Sequence, residues 1–176
     1  MEFRPTAIAG AFIVELAPQA DERGSFARTF CTDEFARAGI DFDAVQVNLS
    51  RNIARHTLRG MHCQAEPHAE AKLVQCTRGR IFDVAIDLRR TSPSWKAVVS
   101  VELDADANQL FYIPPGCAHG FLTLEAHSDL LYYMGTRFVP GVGLGVRWDD
   151  PAFGVDWPAA PAVISDRDAT YPDYAP

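Results

Sequence analysis

Residues 72–88 read Lys72-Leu73-Val74-Gln75-Cys76-Thr77-Arg78-Gly79-Arg80-Ile81-Phe82-Asp83-Val84-Ala85-Ile86-Asp87-Leu88. The apolar and β-branched residues of Lys72–Cys76 and Ile81–Leu88 mark two strands, because such side chains pack well on a pleated surface. Thr77-Arg78-Gly79-Arg80 between them has the composition of a hairpin turn. The same texture runs outward in both directions. Upstream, Phe12, Val14 and Leu16 alternate with their neighbours as a half-buried strand does, and Asp21-Glu22-Arg23-Gly24 punctuates its end. Downstream, Ala97 to Leu103 is rich in Val and ends at the turn-like Asp104 to Asn108, and Leu110–Ile113, Phe121–Leu124 and Leu130–Met134 are further short strands. Helix signals are sparse. Thr32 is an N-cap candidate, with Asp33 and Glu34 in the first turn and Gly39 as the stop, and Ser165 caps a short helix in the Pro-rich tail after Trp157. Many short strands with few short helices predict an all-β sandwich or barrel. No repeat or linker divides the chain, so residues 1–176 are expected to form one domain.

Composition bounds the function. A content of 48% hydrophobic residues in 176 is enough for a substantial core. A net charge of −7 argues against nucleic acid, whose phosphates call for a clustered excess of Lys and Arg. An anionic small substrate remains allowed if the fold gathers a local cationic cluster. The opening Met1-Glu2-Phe3-Arg4-Pro5 is not a cationic start followed by an apolar run, and nowhere do 18 apolar residues follow one another, so a cytoplasmic protein with no membrane partner is expected. Cys31, Cys63, Cys76 and Cys117 lie far apart without CxxC spacing and are expected to be reduced.

Two segments crowd polar residues into strands and strand ends. One is Leu58-Arg59-Gly60-Met61-His62-Cys63-Gln64, followed by His68, Glu70 and Lys72; the other is Ile113-Pro114-Pro115-Gly116-Cys117-Ala118-His119-Gly120-Phe121. Strand periodicity puts His62 and Gln64 on one face, and with Arg59 and Lys72 nearby a polar pocket lining is more economical than a core. An isolated histidine is more often a hydrogen-bonded structural residue; its neighbours shift that balance. The Pro-x-Gly-x-x-His pattern of Pro114 to His119 resembles the second motif of the cupin superfamily, which implies a jelly-roll β-sandwich. A metal site of that superfamily would want a second histidine where Gln64 stands, and His68 and Glu70 have the wrong spacing to replace it. No metal and no cofactor are expected.

The resemblance extends further. Asp21-Glu22-Arg23-Gly24, Gln46-Val47-Asn48-Leu49-Ser50, Leu58-Arg59-Gly60-Met61-His62, Ala71-Lys72-Leu73-Val74, the stretch from Phe82 to Arg89, the stretch from Ile113 to Phe121 and Arg147-Trp148-Asp149-Asp150-Pro151 together closely resemble the dTDP-4-dehydrorhamnose 3,5-epimerase family, in order, from about residue 4 to 168. That resemblance implies epimerisation of a nucleotide-linked 4-keto-6-deoxyhexose at C3, C5 or both, without a metal. A ketone at C4 acidifies the neighbouring C–H bonds, so the reaction needs a base on one face, a group to hold the enolate oxygen, and an acid on the other face. His62 matches the family's base, Lys72 the enolate stabiliser and Tyr132 the acid. The carboxylate that orients the base comes from a late Ser-x-Lys-Asp-like segment. Ser165-Asp166-Arg167-Asp168 fits it, with Asp168 as the partner and Asp166 as the alternative. Arg23 and Arg59 match diphosphate-binding positions. Phe26, Arg28, Gln46, Asn48 and His119 are implied as further substrate ligands, and Asp83 as a hydrogen-bonding support. Family members are typically homodimers with exchanged strands, which is expected here.

The sequence also departs from the family. Arg28 stands where an acid is common near the nucleoside, Cys63 where an aromatic residue is usual, and Tyr133 where Lys is usual. A guanidinium offers only donors and a carboxylate only acceptors. The charge reversal therefore leaves the base open between dTDP and CDP or GDP and marks Arg28 as a selector. Two rival classes fit the fold: a metal-dependent cupin oxygenase or isomerase, and a non-catalytic sugar-binding jelly roll.

Overall fold

The computed structural model describes residues 1–175. Its elements in chain order are β1 (Glu2–Pro5), β2 (Phe12–Glu15), β3 (Gln19–Asp21), β4 (Gly24–Phe26), α1 (Thr32–Arg37), β5 (Gln46–Asn52), β6 (Leu58–Gln64), β7 (Lys72–Arg78), β8 (Arg80–Asp87), β9 (Val98–Asp104), β10 (Gln109–Ile113), β11 (Cys117–Thr123), β12 (Ser128–Met134), β13 (Gly143–Gly145) and α2 (Asp166–Ala169). A six-stranded sheet has the order β1-β2-β10-β7-β12-β5, and a five-stranded sheet the order β13-β6-β11-β8-β9. They stack as the expected jelly-roll sandwich. Val74, Phe111 and Leu130 from the first sheet meet Ile81, Ala85, Leu103 and Phe121 from the second in one buried cluster.

Period-2 alternation continues on the outer faces, where each sheet finds a cover. Phe35 of α1 packs with Val14, Leu73, Leu110 and Tyr112 on the outside of the six-stranded sheet. The C-terminal segment lays Phe153, Val155 and Trp157 over Val84, Ile86 and Ala118 of the other sheet. This double cover buries every residue of β11. On β5 the outward Val47 and Leu49 stay half exposed, each at 52%. No helix among the described residues is long and apolar enough to cross a membrane, and all four cysteines are free.

Two local expectations are corrected. Residues 77–80 do not close a hairpin, because β7 hydrogen-bonds β10 and β12 whereas β8 bonds β9 and β11 in the other sheet. The turn carries the chain across the sandwich at Gly79, whose φ of +71° suits glycine; a Cβ there would come within 2.6 Å of Ser128 Oγ. Composition marks a turn but not which sheet its second arm joins. At α1 the N-cap is Cys31, with no side-chain cap, and Thr32 is already helical. Its hydroxyl approaches Asp43 Oδ1 instead. Gly39 does follow the C-terminus, with φ +76° and its N–H on Ala36 O.

Candidate active site

The sandwich opens at one end into a cavity of about 730 Å³ lined by side chains from both sheets. His62 and Arg59 reach it from β6, although an odd spacing in a regular strand would send them to opposite faces. The ladder explains this: His119 pairs with His62 and Phe121 with Arg59, so β6 carries one extra residue there. The bulge sits where Gly60 and Gly120 let the two backbones approach closely. From the opposite wall Lys72, Tyr132 and Asn48 project from β7, β12 and β5. An adjoining cavity of about 440 Å³ shares Asn48, His62, Lys72, Met134 and Arg167 and adds Gln46, Phe138 and Tyr171.

The late segment closes the site. Ser165 caps α2 by accepting a hydrogen bond from Asp168 N, which turns the Asp168 side chain toward β6. Asp168 Oδ1 lies 2.7 Å from His62 Nε2, and Oδ2 accepts from Gly60 N at 3.2 Å. Burial pushes this carboxyl up, but the His62 hydrogen bond and charge, the Gly60 N–H and Arg167 outweigh it and hold it at about 2. Between the two sequence candidates, Asp168 and not Asp166 meets the imidazole. With Nε2 on the carboxylate, Nδ1 is the nitrogen left for the cavity.

Lys72 is buried, with Nζ 3.0 Å from Glu70 Oε1 and donating to His62 O at 2.8 Å. Glu70 also accepts from Gln64 N, and Gln64 in turn binds the backbone of His68 and Val139. Glu70 and Gln64 thus brace Lys72 and the cavity wall. Among the described residues no group of three or more His, Cys, Asp or Glu side chains is set to hold a metal ion.

His119 and Asp83 form a second pair beneath the first, with Nε2 to Oδ1 at 2.7 Å. Asp83 is fully buried on β8, flanked by β9 and β11, and among the described residues its Oδ2 has no hydrogen-bond partner. Burial pushes its carboxyl up against the lowering effect of His119. Tyr132 packs edge-on to His119, ring centroids 5.7 Å apart. Its hydroxyl is raised well above the usual phenol range by burial and then by Asp83, so it keeps its proton near neutral pH.

Arg59 donates from Nε to Asn52 Oδ1 at 2.8 Å, and buried Asn52 is itself anchored on Ser128 O. Gln46 donates to Asn48 Oδ1. Three expected ligands are not brought to the cavity within the chain. Arg23 and Phe26 lie on the exposed β3–β4 ribbon, Arg23 paired with Asp21. Arg28 pairs with Glu34 at 2.8 Å. Sequence reasoning missed Glu70 as the partner of Lys72, Asn52 as the support of Arg59, and the contact of Arg167 with His62. Only Glu70 had a signal, an acid two residues from Lys72 on the approach to β7.

This arrangement can be set beside known proteins. Residues 5–175 match the dTDP-4-dehydrorhamnose 3,5-epimerase family. A dTDP-4-dehydrorhamnose 3,5-epimerase of Sinorhizobium fredii is 38% identical over 173 residues, covering 98% of this chain and 89% of that protein. The crystal structure of the Bacillus anthracis dTDP-4-dehydrorhamnose 3,5-epimerase with TDP and PPi bound superposes with a TM-score of 0.94 at 32% identity, covering 98% of this chain and 99% of that one. A His-to-Asn, Tyr-to-Phe double mutant of a 3'-monoepimerase from Streptomyces bikiniensis, in complex with dTDP, gives 0.89 at 32% identity, covering 96% of this chain and 85% of that one. With its fold, its motifs and nearly its whole length matched, the chain belongs to the dTDP-4-dehydrorhamnose 3,5-epimerase family.

Proposed function

We propose that the chain epimerises a nucleotide-linked 4-keto-6-deoxyhexose beside its ketone, with His62 as base, Lys72 holding the enolate oxygen and Tyr132 as acid. One observation carries this reading: His62 and Tyr132 approach a single cavity from opposite sheets, as removal and return of a proton on opposite faces of a sugar require. The double mutant of the Streptomyces bikiniensis 3'-monoepimerase changes a His and a Tyr as far apart in its chain as His62 and Tyr132 are here. In the first half-reaction Nδ1 of His62 takes the proton from carbon, and the C–H electron pair passes through the new C=C bond onto O4. Lys72 has three N–H donors, two of them engaged with Glu70 and His62 O, and the third serves the enolate. In the second half the enolate collapses to the ketone while its carbon takes the Tyr132 proton from the other face; solvent then reprotonates Tyr132, and His62 releases its proton.

On this reading Arg59 and His119 hold the diphosphate or sugar, and Gln46 and Asn48 line the nucleoside side. Asp83 holds His119, and residues 1–176 form one domain that carries the proton-transfer groups. Arg23, Phe26 and Arg28 reach a substrate only from a second copy. We therefore infer a cytoplasmic homodimer in which the exposed β3–β4 ribbon extends to the neighbouring site, with Arg28 selecting the nucleotide. Incubation with dTDP-, CDP- and GDP-linked 4-keto-6-deoxyhexoses in deuterium oxide tests the reaction. Deuterium should enter at C3, C5 or both, and His62→Ala should stop it. A protein that binds these sugars and exchanges no proton is a binding module instead. Exchange that a strong chelator abolishes belongs to a metal-dependent cupin. Equal preference among nucleotides before and after Arg28→Glu removes Arg28 as selector.

A further inference from the structure

Arg167 reaches the same imidazole nitrogen that Asp168 holds. Its Nη2 lies 3.0 Å from His62 Nε2, and its Nε lies 3.2 Å from Asp168 Oδ1. An ionised carboxylate only accepts, so at 2.7 Å from Asp168 Oδ1 the Nε2 atom carries the proton. Nε2 then has no lone pair for the guanidinium, and the 3.0 Å approach is a contact of charge instead of a hydrogen bond. Arg stays charged at every pH at which the protein works. When His62 takes a second proton at Nδ1, the resulting imidazolium is favoured by Asp168 and opposed by Arg167 at similar distance.

The other groups around the imidazole do not duplicate this role. Lys72, from β7, is paired with Glu70 and reaches only the His62 carbonyl. His119, the cross-strand partner on β11, has its Nε2 on Asp83. Arg59, on β6 itself, is held by the neutral Asn52. The neighbouring Cys63 thiol is pushed up by burial and is neutral. Tyr171 faces the ring edge at 6.4 Å, and Tyr132 keeps its proton. Arg167 is the cation that touches both members of the dyad, and it does so on the rim shared by the two cavities.

We propose that Arg167 is a positioning residue that holds Asp168 Oδ1 beside His62 and whose charge opposes a second proton on the imidazole. The proposal rests on the epimerase reading above. It concerns the base itself and can be read without turnover. The test combines NMR titration of the His62 ring in the substrate-free protein with the pH profile of substrate deuterium exchange, for the native protein, Arg167→Gln and Arg167→Lys. In Arg167→Gln the ring titration should move to higher pH. The exchange rate relative to native should drop a further three- to tenfold, roughly, between the alkaline plateau and the acid limb. Both effects should shrink at high salt, since the side chain is largely exposed. Arg167→Lys, which keeps the charge, should restore the acid limb. Superimposable titrations in all three proteins overturn the proposal. So does a pH-independent rise in KM for Arg167→Gln, which makes Arg167 a substrate ligand. A ring titration that moves as stated in a protein that exchanges no substrate proton leaves the inference standing and sinks the epimerase reading.

Discussion

Asp168 Oδ1 meets His62 Nε2 at 2.7 Å across 106 positions of sequence, delivered by a four-residue helix whose cap, Ser165, holds the Asp168 backbone N–H. The same carboxylate takes the Gly60 N–H, so helix, bulge and imidazole are tied at one point. Asp168→Asn should leave substrate affinity near native and slow deuterium exchange on the order of 10³–10⁴-fold, because an amide can impose the wrong tautomer and cannot stabilise imidazolium. Asp166→Asn, on the same helix without the contact, should exchange at close to the native rate. Equal loss in both variants would sink the dyad.

The carboxylates also predict how the fold responds to acid. Asp87 is fully buried yet held at about 2: burial pushes it up, and donors from Arg89, Ser92 and Ser94 outweigh that penalty. Asp168 is held at about 2 as well. A depressed carboxylate contributes stability that is complete above its unfolded value, near 4, and is lost as pH falls through its folded value. Urea midpoints should therefore be insensitive to these two groups above about pH 4 and fall between about pH 4 and pH 2. Asp87→Asn should flatten that fall while lowering stability at pH 7. An unchanged slope in the variant assigns the acid limb to other groups.

Much of this was legible in the sequence, for reasons that differ residue by residue. Alternation and turn residues located the strands of the sandwich, and the motif around His119 supplied the jelly roll, because both are local patterns. The partner sheet of β8 was not legible, since Gly79 permits a hairpin and a crossover alike. Arg59 and His62 share a cavity only through the bulge at Gly60, and a bulge depends on the facing strand. Register with the family singled out His62, Lys72, Tyr132 and Asp168, four side chains that the fold brings to one cavity. The supports, Glu70 for Lys72 and Asn52 for Arg59, carry roles that exist only once distant backbone is in place.

Asn52 gives a sharp test of such a support. It is 3% exposed, accepts from Arg59 Nε and donates to Ser128 O, so its amide fixes the guanidinium without touching the reacting atoms. Asn52→Ala should raise KM by roughly tenfold with a smaller change in kcat, and cost about 1–2 kcal/mol in stability from the orphaned carbonyl. Steady-state kinetics separates the outcomes. A fall in kcat at constant KM would mean that Arg59 acts on the reacting sugar and not in holding the substrate.

Gly60 and Gly120 bring two backbones into close approach in the site, and this makes the last prediction. A Cβ on Gly120 would come within 2.6 Å of Met61 Sδ, 2.8 Å of Arg59 O and 2.9 Å of Gly60 Cα. Two of those three atoms are backbone, so β6 and β11 must separate for Gly120→Ala to fit, at a cost of about 1–3 kcal/mol. The separation falls between the pairs His119–His62 and Phe121–Arg59, so it displaces His62 and Arg59 together. Gly120→Ala should lower the urea midpoint and also lose most of its deuterium exchange under conditions where it remains folded. Gly39→Ala is the matched comparison, because its φ of +76° is strained but nothing lies within 4 Å of the new Cβ. It should lose only ~1 kcal/mol and keep native exchange. If Gly120→Ala is destabilised yet exchanges at the native rate, the close approach serves the fold alone and the placement of His62 does not depend on it.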